Sequence, residues 1–107
     1  MSRHAKSLAN ALEVLSCSEY KQYIEEIYLY GSCARGEQKY SSDVDLFIKV
    51  KEDTPQKVLL DMRRQVMPED EKLPEVELKF SSTDNFSSSS QFNTNIKTEG
   101  KLLWRRM

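Results

Sequence analysis

Two short runs of β-branched and aromatic residues, Ile27 to Tyr30 and Val44 to Val50, bracket a polar connection that opens on Gly31 and Ser32 and closes on Asp43. The segment reads YLYGSCARGEQKYSSDVDLFIK from Tyr28 to Lys49. Runs of this composition, bounded by glycine and polar residues, are strand signals, and these two read as adjacent strands. Gly31 can take a positive φ and has no side chain to block a close ligand. Ser32 offers a hydroxyl, and the amides after it would face an anion where a short helix begins. The bend is therefore a candidate phosphate cradle. Asp43 and Asp45 stand two residues apart at the opening of the second strand, so their carboxylates leave the same face. Oxygen ligands placed this way suit Mg²⁺, and two such ions ~3.5–4 Å apart can clamp the entering and leaving oxygens of a displacement.

The rest of the chain supplies a scaffold for that segment. From about residue 5 to 26, Leu8, Leu12, Leu15 and Tyr23 recur at helical intervals, broken at Ser16, Cys17 and Ser18, which would cap a second short helix. Thr54 and Pro55 read as an N-cap and first turn, after which Val58, Leu59, Met62, Val66 and Met67 repeat at helical spacing until Pro68. Glu75 to Phe80 alternates, which makes a third strand with Glu75, Glu77 and Lys79 on one face. Glu77 sits mid-strand and is the natural third carboxylate beside the aspartates. The Ser-rich stretch of about residues 81–91 reads as a loop, followed by a helix from Gln91 to Glu99 closed by Gly100, with Leu102 to Trp104 as an edge strand. The expected fold class is α/β: a small mixed β-sheet of three to four strands with helices packed on it, as a single domain over residues 1–107.

Composition narrows the function classes. Sixteen Lys and Arg against seventeen Asp and Glu leave a net charge of -1, so no global basic field exists for general nucleic-acid binding. No segment approaches the ~20 apolar residues of a membrane span, and the first residues lack the apolar core of a secretion signal. Cys17 and Cys33 have neither disulfide-framework nor zinc-knuckle spacing, and a reducing cytoplasm is the expected setting. Ser32 has no base to act as a protease nucleophile, since the one histidine, His4, falls in an amino-terminal stretch expected to be mobile and inert. Cys33 is expected to be a small buried side chain, Arg63, Arg64, Arg105 and Arg106 solvated, and Trp104 a packing anchor.

Taken together, Gly31, Ser32, the ten residues after them, and Asp43, Val44 and Asp45 resemble the active-site signature of the nucleotidyltransferase superfamily that includes DNA polymerase beta, and especially its minimal nucleotidyltransferase branch. Ala34 to Gly36, Ser42 and the Ile96 to Gly100 pattern extend the likeness over roughly Ile24 to Trp104. The resemblance implies a Mg²⁺-dependent enzyme that moves a nucleoside monophosphate, AMP from ATP as the first choice among nucleoside triphosphates, onto an acceptor. By that resemblance Asp43, Asp45 and Glu77 are catalytic and hold two Mg²⁺ ions with the nucleotide, Gly31 and Ser32 bind the triphosphate, and Arg35 adds charge to it. The branch further implies a HEPN-type helical protein partner whose hydroxyl is the acceptor, as in toxin-antitoxin pairs. Glu77 stands where the family often has Asp, and its extra methylene exceeds the ~0.5 Å tolerance of a preorganised site. A second reading follows: a weak or inactive antitoxin or regulatory subunit that acts by binding its partner.

Overall fold

The computed structural model describes residues 2–82 and 100–106. Helix α1 (Arg3–Leu15) leads through a short α2 (Ser18–Lys21) into strand β1 (Ile24–Tyr30), the small helix α3 (Ser32–Arg35), β2 (Val44–Val50), α4 (Gln56–Gln65), β3 (Val76–Ser82) and β4 (Lys101–Arg105). The four strands form one mixed sheet in the order β3-β2-β1-β4. β1 is antiparallel to both β2 and β4, while β2 and β3 run parallel, with α4 on the crossover between them. A parallel pair needs such a long return connection, and a helix is its usual form.

Strand alternation divides the sheet into two unlike faces. Ile27 and Leu29 of β1, Val44, Leu46, Ile48 and Val50 of β2, and Val76 and Leu78 of β3 join Ala11 and Leu15 of α1, Met62 of α4 and Val66 in one buried core. A register shift between Ile24 and Glu26 adds Ile24 to that core although its spacing from Ile27 is odd, the local effect of an extra residue in a strand. The opposite face carries Tyr28, Tyr30, Asp45, Phe47, Lys49, Glu77 and Lys79. There Tyr28 and Phe47 pack edge to face at 6.4 Å, with Tyr30 against them. Glu26, nearly buried, receives Arg105 of β4 at 2.6 Å and Lys49 of β2 at 3.7 Å, which ties three strands together.

Several expectations are corrected by this architecture. Ser81 and Ser82 continue β3, so the Ser-rich loop does not begin at residue 81; its remainder, the expected helix over 91–99 and the Ile96 to Glu99 pattern lie outside the described residues. α2 takes Cys17 as its N-cap and α4 takes Pro55, neither with a side-chain cap bond. Thr54 instead donates its hydroxyl to the Lys51 carbonyl at 2.6 Å. Arg105 is exposed as expected, though paired with Glu26, whereas Arg106 is partly buried: it donates to the carbonyls of Ile24 and Lys21 and sits near Trp104. No described helix is long and apolar enough to cross a membrane.

Candidate functional site

The candidate site forms where β1 ends and β2 and β3 begin. Pairing places Tyr30 opposite Asp45, and Asp45 opposite Glu77, so the three lie in one row across three strands. Directly opposed side chains on one face stand ~5 Å apart at their Cβ atoms. The sequence patterns alone set Glu77 on the right face; the parallel register of β2 and β3 sets it beside Asp45.

Gly31 closes the other flank. Its backbone, at φ 74° and ψ -157°, occupies a region essentially reserved for glycine. A Cβ built on it would come within 2.6 Å of Oδ2 of Asp45. The glycine-serine bend therefore lies directly against the aspartate carboxylate, and the missing side chain is what makes room for it. As the first residues of α3, Ser32 and Cys33 lead its N-terminal end, where amides have no partner within the helix. Gly36 ends α3 in the left-handed conformation, a common helix stop. Arg35 is exposed and paired with Glu37 at 3.1 Å.

Asp45 is half-buried, and its carboxyl is held above the usual carboxylate range. Burial is the main cause, followed by the charges of Glu77 and Asp43 and a hydrogen-bonding contact with Glu77. Tyr30 feels the same charges: burial first, then Asp45 and Glu77, push its phenol upward. The Cys33 thiol is also raised, by burial and then by Asp45 and Asp43, so it is not the activated nucleophile that a helix N-terminus can create. Asp43 is exposed just before β2, and Glu77, about half exposed, meets Lys79 at 3.8 Å.

These carboxylates have the donor chemistry of a hard divalent cation, and the crowding of negative charge at Asp45 is what such a cation relieves. As the side chains stand, no group of three His, Cys, Asp or Glu among the described residues is set to hold a metal ion. Asp45 and Glu77 are brought together; Asp43 is near enough to act on Asp45 by its charge.

Side chains far away in sequence hold the site strands from behind. The ring Nε2 of His4 is 2.8 Å from the Ser42 carbonyl, the residue before Asp43. Arg3 bonds the carbonyls of Tyr40 and Lys72 and lies 3.8 Å over the Tyr40 ring. The buried Ser7 hydroxyl donates to the Pro74 carbonyl at 2.7 Å, just before Glu75. The first turns of α1 thus grip the chain ahead of both β2 and β3, and His4 is a fixed part of that grip rather than a mobile residue. No linear signal announces it, because the partners lie 38 and 67 residues away.

An open depression of about 500 Å³ runs along β3 beside Glu77, with Asp43 and Glu75 at one end and Arg63, Lys79 and Phe80 toward the other. It lies on the β3 side of the carboxylate row, whereas the Gly31 bend lies on the β1 side. Arg63 is exposed, as expected of a solvated face, yet its guanidinium stands 5.0 Å over the Phe80 ring and Nε donates to the Leu78 carbonyl at 3.4 Å.

Known proteins share the family and the fold. The family model described as polymerase beta, nucleotidyltransferase, matches residues 13–107. A candidate nucleotidyltransferase from Sulfolobus solfataricus superposes with a TM-score of 0.62 at 19% identity, over 97% of this chain and 85% of the other. A toxin-antitoxin crystallised with AMP-PNP gives 0.63 at 19% identity, over 92% of this chain and 73% of the other. At such identity the likeness is one of fold. No curated protein sequence matches the chain.

Proposed function

The chain belongs to the polymerase beta nucleotidyltransferase family, and from that premise we propose that it transfers AMP from ATP, with Mg²⁺, to a hydroxyl on a partner protein. One observation carries the reading: Asp45 is met on one side by the Gly31 bend and on the other by Glu77. A phosphate cradle, a half-buried carboxylate and an acceptor-side carboxylate are thus in line across three strands. The toxin-antitoxin fold relative that was crystallised with an ATP analogue supports a nucleotide ligand and a protein partner, and a HEPN-type helical protein is the partner class we assign. A cytoplasmic setting goes with both.

Bound Mg²⁺ would supply positive charge to the phosphates and lower the cost of deprotonating the acceptor. Asp43 and Asp45 would hold the two ions, with Glu77 as the third ligand. Gly31 lets the backbone approach the triphosphate, while Ser32 donates its hydroxyl to it and Arg35, on leaving Glu37, adds charge. As the third ligand, Glu77 would favour loss of the acceptor proton to solvent as the acceptor oxygen bonds to the α-phosphorus and pyrophosphate departs. The burial of Asp45 strengthens every charge interaction there, since the local dielectric is below that of water.

Label transfer tests this. With α-labelled ATP, Mg²⁺ and a co-expressed partner, the wild-type chain should add AMP to the partner. Asp43→Asn and Asp45→Asn should each lower transfer by more than about a hundredfold, beyond the loss expected from a merely supporting residue. Unchanged transfer in either variant refutes the assignment. The ion pair of Glu77 with Lys79 favours a second reading, an antitoxin acting by contact. In that case neutralisation of the partner survives both substitutions and no label moves.

A further inference from the structure

β3 is the edge strand of the sheet among the described residues, with β2 on its inner side. The Glu75 carbonyl accepts from the Val44 amide at 2.9 Å, which fixes the alternation of the strand. Glu75, Glu77 and Lys79 turn their backbone groups toward β2, and Val76, Leu78 and Phe80 turn theirs outward. The Leu78 carbonyl confirms the direction, because Arg63 of α4 reaches it from the outer side. The depression beside Glu77 follows this edge from Glu75 to Phe80. Among the described residues no strand lies outside β3, so the depression is a slot bounded by a strand edge, with a carboxylate end and a cationic end.

Resting on the transferase reading, we propose that the acceptor reaches Glu77 as an extended segment of the partner protein, added to the sheet along the outer edge of β3. Main-chain hydrogen bonds to Val76, Leu78 and Phe80 would hold the segment, the mode by which exposed sheet edges bind peptides. The long bond from Arg63 to Leu78, at 3.4 Å, is readily exchanged for a peptide amide. Charge then sets the register. Glu77 and Lys79 point to one face two positions apart, so side chains two positions apart on an added strand oppose them, whichever way it runs. A hydroxyl opposite Glu77 would bring with it an acidic side chain opposite Lys79 and within reach of Arg63.

The test uses the whole chain and two short peptides. Each has a central tyrosine, with glutamate two residues beyond it in one and lysine there in the other. Titrated to millimolar concentration without nucleotide, the glutamate peptide should shift the amide resonances of Val76, Leu78 and Phe80. It should also bind roughly fivefold more tightly than the lysine peptide, the scale of a cross-strand charge pair. Lys79→Glu, a change at a half-exposed position, should reverse that preference. Shifts confined to other elements, no shift, or no reversal would overturn the edge-docking proposal. So would a concentration-dependent dimer, seen by sedimentation and broken by Lys79→Glu, because a second copy would then hold the edge. If the peptide shifts β3 as expected but takes no label from α-labelled ATP with Mg²⁺, while the partner protein takes none either, the transferase reading fails and the docking edge stands.

Discussion

At Gly31 an absent side chain decides the site. An alanine there must hold φ near 74° and place its Cβ against Oδ2 of Asp45. The backbone strain alone costs about 1–3 kcal/mol, and the carboxylate has to move as well. Gly31→Ala should therefore destabilise the chain by about that amount in urea unfolding and remove most of the label transfer. A variant as stable and as active as the wild type would show that the bend does not shape the site. By contrast, a Cβ at Gly36 meets nothing within 4 Å, so its cost is conformational alone. Both glycines are plain in the sequence, but their unequal roles are not, since the neighbour that distinguishes them is Asp45 and lies across a turn.

At the scale of elements, β2, β3 and α4 were the most legible parts, whereas β1 begins at Ile24, inside the stretch to residue 26 whose spacing reads as helical. Val44 to Val50 is a strand with the bounds its composition implies, and the alternation of Glu75 to Phe80 places Glu77 and Lys79 on one face as found. Caps were less legible. The cluster Ser16, Cys17 and Ser18 does hold the cap of α2, at Cys17 and with no side-chain bond, while Thr54, which reads as a cap, is spent on a carbonyl. Of the contacts between elements, Glu77 beside Asp45 was legible and those of α1 were not. The grip of α1 on the chain ahead of β2 and β3 comes from tertiary packing, and His4 and Ser7 carry no mark of it in the sequence. Removing the Ser7 hydroxyl leaves the Pro74 carbonyl without its donor in a buried setting. Ser7→Ala should cost about 1–3 kcal/mol. It should also loosen the entry to β3, read as faster amide exchange over Val76 and Glu77; unchanged exchange there would separate the grip from the site.

For the molecule as a whole, the site is a cost that the core must cover. Burial, and after it the charges of Glu77 and Asp43, raise the Asp45 carboxyl above its value in an unfolded chain. The folded state then binds this proton more tightly than the unfolded one. Its contribution is complete at pH values below the ordinary carboxylate pKa and is lost as pH rises through the raised folded value. In EDTA, Asp45→Asn should therefore be more stable than the wild type at neutral pH, with the difference shrinking toward acid pH. A variant less stable at neutrality would contradict this. The same core of Leu46, Ile48, Met62 and Val66, fully or almost fully buried, makes that cost bearable. The vacancy at Gly31 has a hereditary consequence too. Every missense change of a glycine codon installs at least a methyl group, so this position tolerates synonymous drift and little else. In duplicated genes, that one triplet would separate descendants still able to seat a nucleotide from those that keep the scaffold alone.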